Sequence, residues 1–204
     1  KKLSPFQWSL MTRDERHAMV ALASTNALEY LAFASTTLLL ITWFFLQFNS
    51  SVLAVILASI YGPFQTVGRV LEMKFGHKYD ARVTGLLAFL GVPTALVLVQ
   101  QDSLVFAVIA MIIFGMGQGI LTVSFGYVTN MYFSAEVYGR AKGWITTPKA
   151  LGNAIGPSIG GALFLTGPSV FFNTMIVISL LSAVCFASLY FAKPRNQPPT
   201  VSGQ

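Results

Sequence analysis

Every one of the 13 Lys and Arg residues in this chain falls on one side of any membrane threading that its apolar runs allow. Read as spanning helices, those runs number six, at residues 17–46, 51–71, 83–99, 104–128, 143–166 and 168–192. Lys1, Lys2, Arg13 and Arg16 precede the first run, and Arg69, Lys74, Lys78 and Arg82 gather round the second connection. Arg140, Lys142 and Lys149 gather round the fourth, and Lys193 and Arg195 follow the sixth. The intervening connections, at residues 47–50, 100–103 and 167, carry none. Basic side chains resist translocation, so the alternation predicts an integral membrane protein with both termini in the cytoplasm, in a bacterium the inner membrane.

Composition excludes the competing classes. The chain is 54% hydrophobic and 10% charged, where a soluble domain carries about 25% charged residues. A net charge of +6 raises nucleic acid as a partner. The cations sit in short connections beside apolar runs, not on a face interleaved with aromatics, so they are read as topology and as attraction to anionic lipid heads. The single cysteine, Cys185, lies inside the last run, which leaves no disulfide, no metal site and no cofactor to be expected and makes it a buried structural thiol. No cleavable signal peptide is visible, and the start at Lys1 instead of Met reads as a fragment or a processed product.

The expected fold is all-α and polytopic: a tail at 1–16, a six-helix transmembrane domain at 17–192, and a disordered tail at 193–204. Thr12-Arg13-Asp14-Glu15 has the form of a capping box, with Thr12 as N-cap and Glu15 reaching back to the freed amide. The first run exceeds the roughly 20 residues that a span requires, so it tilts or projects. Phe6, Trp8, Leu10 and Met11 suit the headgroup level, as an alternative to a linker, and Trp43 and Trp144 fall near opposite interfaces. Gly167-Pro168 suffices to turn one span into the next.

A few residues are ones that lipid does not tolerate. Glu29 stands near the middle of the first span, with Asn26 three residues earlier on the same face. An ionisable group there costs about 2.5–3.5 kcal/mol on insertion scales, so Glu29 is read either as a proton-coupling or solute-contacting carboxylate or as a hydrogen-bonded tie between helices. Lys149 and Asn153, four apart in the fifth span, suggest an inward polar stripe, although Lys149 can also snorkel to the headgroups. Gln118 and Thr122 give the fourth span a polar face. Gly152, Gly156 and Gly160, with Pro157 beside them, allow close helix packing and a bend; Gly115, Gly117, Gly119 and Gly126 invite the same reading. Gln65, Arg69 and Glu72 share a face at the inner end of the second span, where an Arg69–Glu72 pair or pairing with neighbouring helices would latch a gate.

Two stretches carry a family resemblance. Gly62 to Lys78 (GPFQTVGRVLEMKFGHK) resembles the eighth helix and following basic loop of a major facilitator superfamily transporter, and Tyr138 to Gly143 (YGRAKG) with Gly152 to Gly161 (GNAIGPSIGG) resembles its tenth-to-eleventh loop and eleventh helix. The likeness extends over 17–192 and implies the C-terminal six-helix half of such a transporter. Glu72 stands where the superfamily's loop signature has Asp and Met73 where it has Arg, so the signature's charge relay carries over only to Glu72, with Arg69 and Lys78 as further gating candidates.

The resemblance implies secondary transport of a small solute by alternating access, with Glu29 as the candidate for proton coupling. Halves of this kind enclose the solute between them near the midplane, so the implied partners are the solute, the bilayer, and an N-terminal half or a second half-chain. Two other classes compete. A rhomboid-like intramembrane protease also has six helices but needs a membrane-embedded serine–histidine pair, and His17 and His77 lie at boundaries. A non-transporting scaffold or accessory half-transporter subunit uses the same topology and packing glycines. The repeated signatures of mitochondrial carriers and aquaporins are absent.

Overall fold

The computed structural model describes residues 11–195, and every regular element within them is helical. Seven α-helices follow one another: α1 (Arg13–Phe48), α2 (Ser51–Ser59), α3 (Tyr61–Phe75), α4 (Ala81–Leu98), α5 (Leu104–Tyr132), α6 (Ala135–Thr166) and α7 (Pro168–Ala187), with single 3-10 turns after α3 and α7. The readings made for Phe6, Trp8 and Leu10, and for 196–204, lie outside the described residues.

The capping box forms as its four residues dictate. Glu15 N–H donates to the Thr12 hydroxyl at 3.2 Å, and Thr12 N–H donates to the Glu15 carboxylate at 3.0 Å. The second span differs from the single helix expected. It is interrupted at Ile60, between α2 and α3, because Pro63 lacks an N–H and its ring crowds the carbonyl of Ser59 one turn back. α6 begins eight residues before the expected 143, absorbing the basic connection into the helix. Five helices are long and apolar enough to cross a membrane, with α2 and α3 acting as one. α6, at 32 residues, has the length, but Lys149, Asn153 and its glycines and prolines dilute its apolarity.

The spans run antiparallel. At one end Trp43 Nε1 donates to Val99 O at 2.9 Å and Gln47 donates to Gln101 O at 2.6 Å. At the other, the basic end, the Tyr132 hydroxyl donates to Leu189 O at 2.7 Å and the Arg195 guanidinium pairs with Glu15 at 2.9 Å. Arg195 N–H also donates to Met131 O at 3.0 Å, so the first residues assigned to a disordered tail are tied down.

Two apolar clusters fill the bundle. The basic-end cluster gathers Leu22, Phe89, Tyr132 and Phe186, and the other gathers Phe44, Leu96, Phe114, Phe171 and Phe172. Between them lies a belt of buried polar side chains: Thr25, Asn26 and Glu29 on α1, Gln118 on α5, Ser179 and Ser182 on α7. Outward, Val52, Leu87, Val105, Leu165 and Val184 stand exposed, apolar surface that suits hydrocarbon and not water. Cys185 is half-buried, short of the full burial expected.

Candidate functional site

The helices pair unevenly, and the site follows from that. α1 packs along α6, while α5 packs against α3 and α4; α5 and α6 scarcely touch. The gap between α5 and α6, floored by α1, is an open cavity of about 210 Å³. Its wall is built at helical spacing: Asn26 and Tyr30 from α1, Thr122, Phe125, Gly126 and Thr129 from α5, Lys142, Ile145, Thr146 and Lys149 from α6.

The α1–α6 seam that sets one side depends on the expected glycines. A Cβ on Gly152 would collide with the Ala27 carbonyl oxygen, one on Gly156 would come within 2.8 Å of Leu31 O, and one on Gly160 within 2.6 Å of Ser35 Cβ. Ser35 Oγ lies 2.6 Å from Gly156 O across the seam and 2.7 Å from Leu31 O on its own helix, and its one hydrogen is shared between them. Asn26 adds a further tie, donating from Nδ2 to Ile145 O at 3.2 Å. On the other side, Gly115 and Gly119 let α5 close onto the carbonyls of Tyr61 and Gln65 in α3.

Lys149 lies 14 residues into α6, about 21 Å along the axis at 1.5 Å per residue, because the helix starts ahead of the expected 143. Its ammonium sits over the Tyr30 ring, 3.9 Å from the centroid, a cation–π contact that holds the charge at the cavity wall. Asn153 does not join it. It is exposed and lies outside the cavity's lining.

Glu29 is 1% exposed, immediately behind the cavity. Its Oε1 accepts from Gln118 Nε2, which ties α1 to α5 across the polar belt, and its Oε2 is buried with no hydrogen-bond partner. Two of the expected polar residues thus meet each other directly. Thr122 meets Gln118 only through the backbone, donating to its carbonyl at 2.8 Å.

The gating candidates separate. Glu72 is buried and accepts from the Thr84 and Ser124 hydroxyls, both at 2.8 Å, which joins α3 to α4 and α5. Arg69 is exposed and makes no ion pair with Glu72, because residues three apart on α3 here turn one side chain into the bundle and the other out of it. Gln65 is half-buried beside Gly119, and Lys78 lies exposed with its ammonium 5.8 Å from the Phe75 ring centroid. A stronger link at this end is one that sequence reading passed over. Asp80 caps α4 and grips Arg82 at 2.6 Å, and the Arg82 guanidinium lies 4.9 Å from the Tyr190 ring centroid. Burial pushes the Asp80 carboxyl up, but the hydrogen bonds from Arg82 outweigh it and hold the group below the ordinary aspartate range.

Sequence reading also passed over Tyr30, Phe125, Thr129, Lys142 and Thr146. The signal was present: Thr122, Phe125, Gly126 and Thr129 fall at i, i+3, i+4 and i+7, and Lys142, Ile145, Thr146 and Lys149 repeat that spacing.

The described residues thus form a helical bundle with a cavity opening between its spans. Residues 17–204 match the family model of the Major Facilitator Superfamily, and the chain belongs to that family of transporters. Among curated proteins none matches it.

Proposed function

We propose that this chain is the C-terminal half of a carrier that moves a small solute by alternating access, with its basic end in the cytoplasm and Glu29 coupling transport to protons. One observation carries the reading: α1, α5 and α6 present polar groups to a cavity inside an apolar bundle, and Glu29, the residue before Tyr30 of its wall, is buried with one oxygen unpartnered. Protonation of such a group alters its hold on Gln118, and with it the α1–α5 contact that floors the cavity. The surface left open supports a second half. Thr66 and Arg69 on α3 and Asn153 and Ser158 on α6 are polar, exposed and within the length of the bundle, where lipid is a poor neighbour. A half related by an axis along the membrane normal covers such faces and completes the cavity.

The test is solute flux into vesicles carrying the chain together with an N-terminal half or a second copy of itself, with and without an imposed pH gradient. Glu29→Gln is expected to abolish gradient-driven accumulation while leaving exchange of solute across the membrane. Unchanged accumulation in that variant removes Glu29 from coupling. Failure of that wild-type assembly to move any solute under either condition returns the protein to the scaffold reading.

A further inference from the structure

We infer that the cavity takes a small organic anion that brings its own hydrogen-bond donors, a hydroxylated carboxylate being the simplest solute of that kind; this rests on reading the cavity as the solute site.

The argument begins with charge. Lys142 and Lys149 line the cavity, and no Asp or Glu does. Both ammonium groups rest on aromatic faces, Lys149 at 3.9 Å from the Tyr30 centroid and Lys142 at 5.5 Å from that of Tyr138. Among the described residues neither forms an ion pair, whereas Arg82 and Arg195 at the basic end each hold a carboxylate. Glu29 is absent from the lining and pairs with neither lysine: one of its oxygens accepts from Gln118 and the other is buried without a partner. Lys149 is half-buried and Lys142 exposed; a partly desolvated cation such as Lys149, with no carboxylate in contact, favours an anionic ligand and penalises a cationic one.

The hydroxyls sharpen the class. A threonine carries one donor hydrogen, and each threonine of the wall uses it on its own helix. Thr122 donates to Gln118 O at 2.8 Å, Thr129 to Phe125 O at 2.7 Å, and Thr146 to Lys142 O at 2.8 Å. What these oxygens offer the cavity is lone pairs. Asn26 spends one of its two amide hydrogens on Ile145 O, which leaves its other N–H and its carbonyl oxygen. The wall therefore sets two cations beside three threonine acceptors, and the complementary solute is an anionic group on a skeleton bearing O–H or N–H groups. Phe125 and Ile145 give the carbon skeleton an apolar side.

The experiment is equilibrium binding to the full chain in lipid nanodiscs, with matched probes: gluconate, hexanoate, glucose and glucosamine. Gluconate is expected to bind tightest, hexanoate next, and the uncharged and cationic sugars weakest. Lys149→Gln should weaken gluconate by about tenfold or more, and Lys149→Arg, which keeps charge and stacking, should restore most of it. Thr122→Val should weaken gluconate and leave hexanoate unchanged, a discrimination that a misfolded variant cannot produce. Equal or tighter binding of glucose or glucosamine overturns the inference, and so does binding of none of the probes. Flux of the same probes in vesicles separates the two readings. Gluconate bound but not carried sinks the carrier and keeps the anion site, while glucosamine carried keeps the carrier and sinks the anion site.

Discussion

Two stretches of α5 use the same residue type for opposite ends. At Gly115 and Gly119 the helix closes onto the backbone of α3, so that any Cβ meets a carbonyl oxygen. At Gly126, seven residues after Gly119, a Cβ would meet nothing within 4 Å, because the helix there faces the cavity and not a neighbour. α6 shows the converse, seated on α1 by its glycines and standing off from α5. A small residue in a spanning helix therefore either permits contact or leaves space, and only the helix across from it decides which. Transport is read into the second arrangement, and the first gives it rigid walls.

The largest effect that would break this contrast is at the closed positions. Gly119→Ala and Gly152→Ala force backbones apart and should destabilise the bundle by about 1–3 kcal/mol each, read as a lower unfolding temperature in detergent. Gly126→Ala should leave that temperature unchanged or raise it slightly, since alanine favours the helix by roughly 1 kcal/mol and nothing obstructs it. Equal losses at Gly119 and Gly126 would erase the distinction. Ser35→Ala removes the one side-chain hydrogen bond that α1 sends across the glycine seam to α6 at this level; a loss near 0.6 kcal/mol is expected, the usual size for such bonds in lipid.

The smallest effect concerns the basic end. The folded Asp80 carboxyl titrates below its unfolded value, so its contribution is complete above that unfolded value, near pH 4, and is lost as pH falls through the folded one. Asn retains the N-cap, so Asp80→Asn isolates the charge. The variant should melt lower than the parent at neutral pH by an amount worth at most about 1 kcal/mol, and the two curves should converge in acid. A gap that persists at low pH assigns the effect to packing.

Much of this was readable beforehand. Thr12 and Glu15 mark the start of α1 because a cap is settled within three residues. Gly152, Gly156 and Gly160 announced a close seam, but not that Ala27, Leu31 and Ser35 would be the partners. Glu29 and Gln118 each stood out as costly in lipid, while their hydrogen bond spans 89 positions and left no trace in the local pattern. Arg69 and Glu72 show the limit most clearly. Their spacing suits a pair, yet the rotation of α3 against α5 buries one among hydroxyls and turns the other outward.

The order of residues alone determined that hydrocarbon is the solvent, that the elements are helices, and where most of them begin and end, since apolar run length, caps and prolines act over a few neighbouring positions. Which polar groups share one space, and which face stays open, was decided by how the helices turn about their axes when they pack. That rotation depends on the shapes of surfaces far apart in the chain, and no short stretch of sequence holds it.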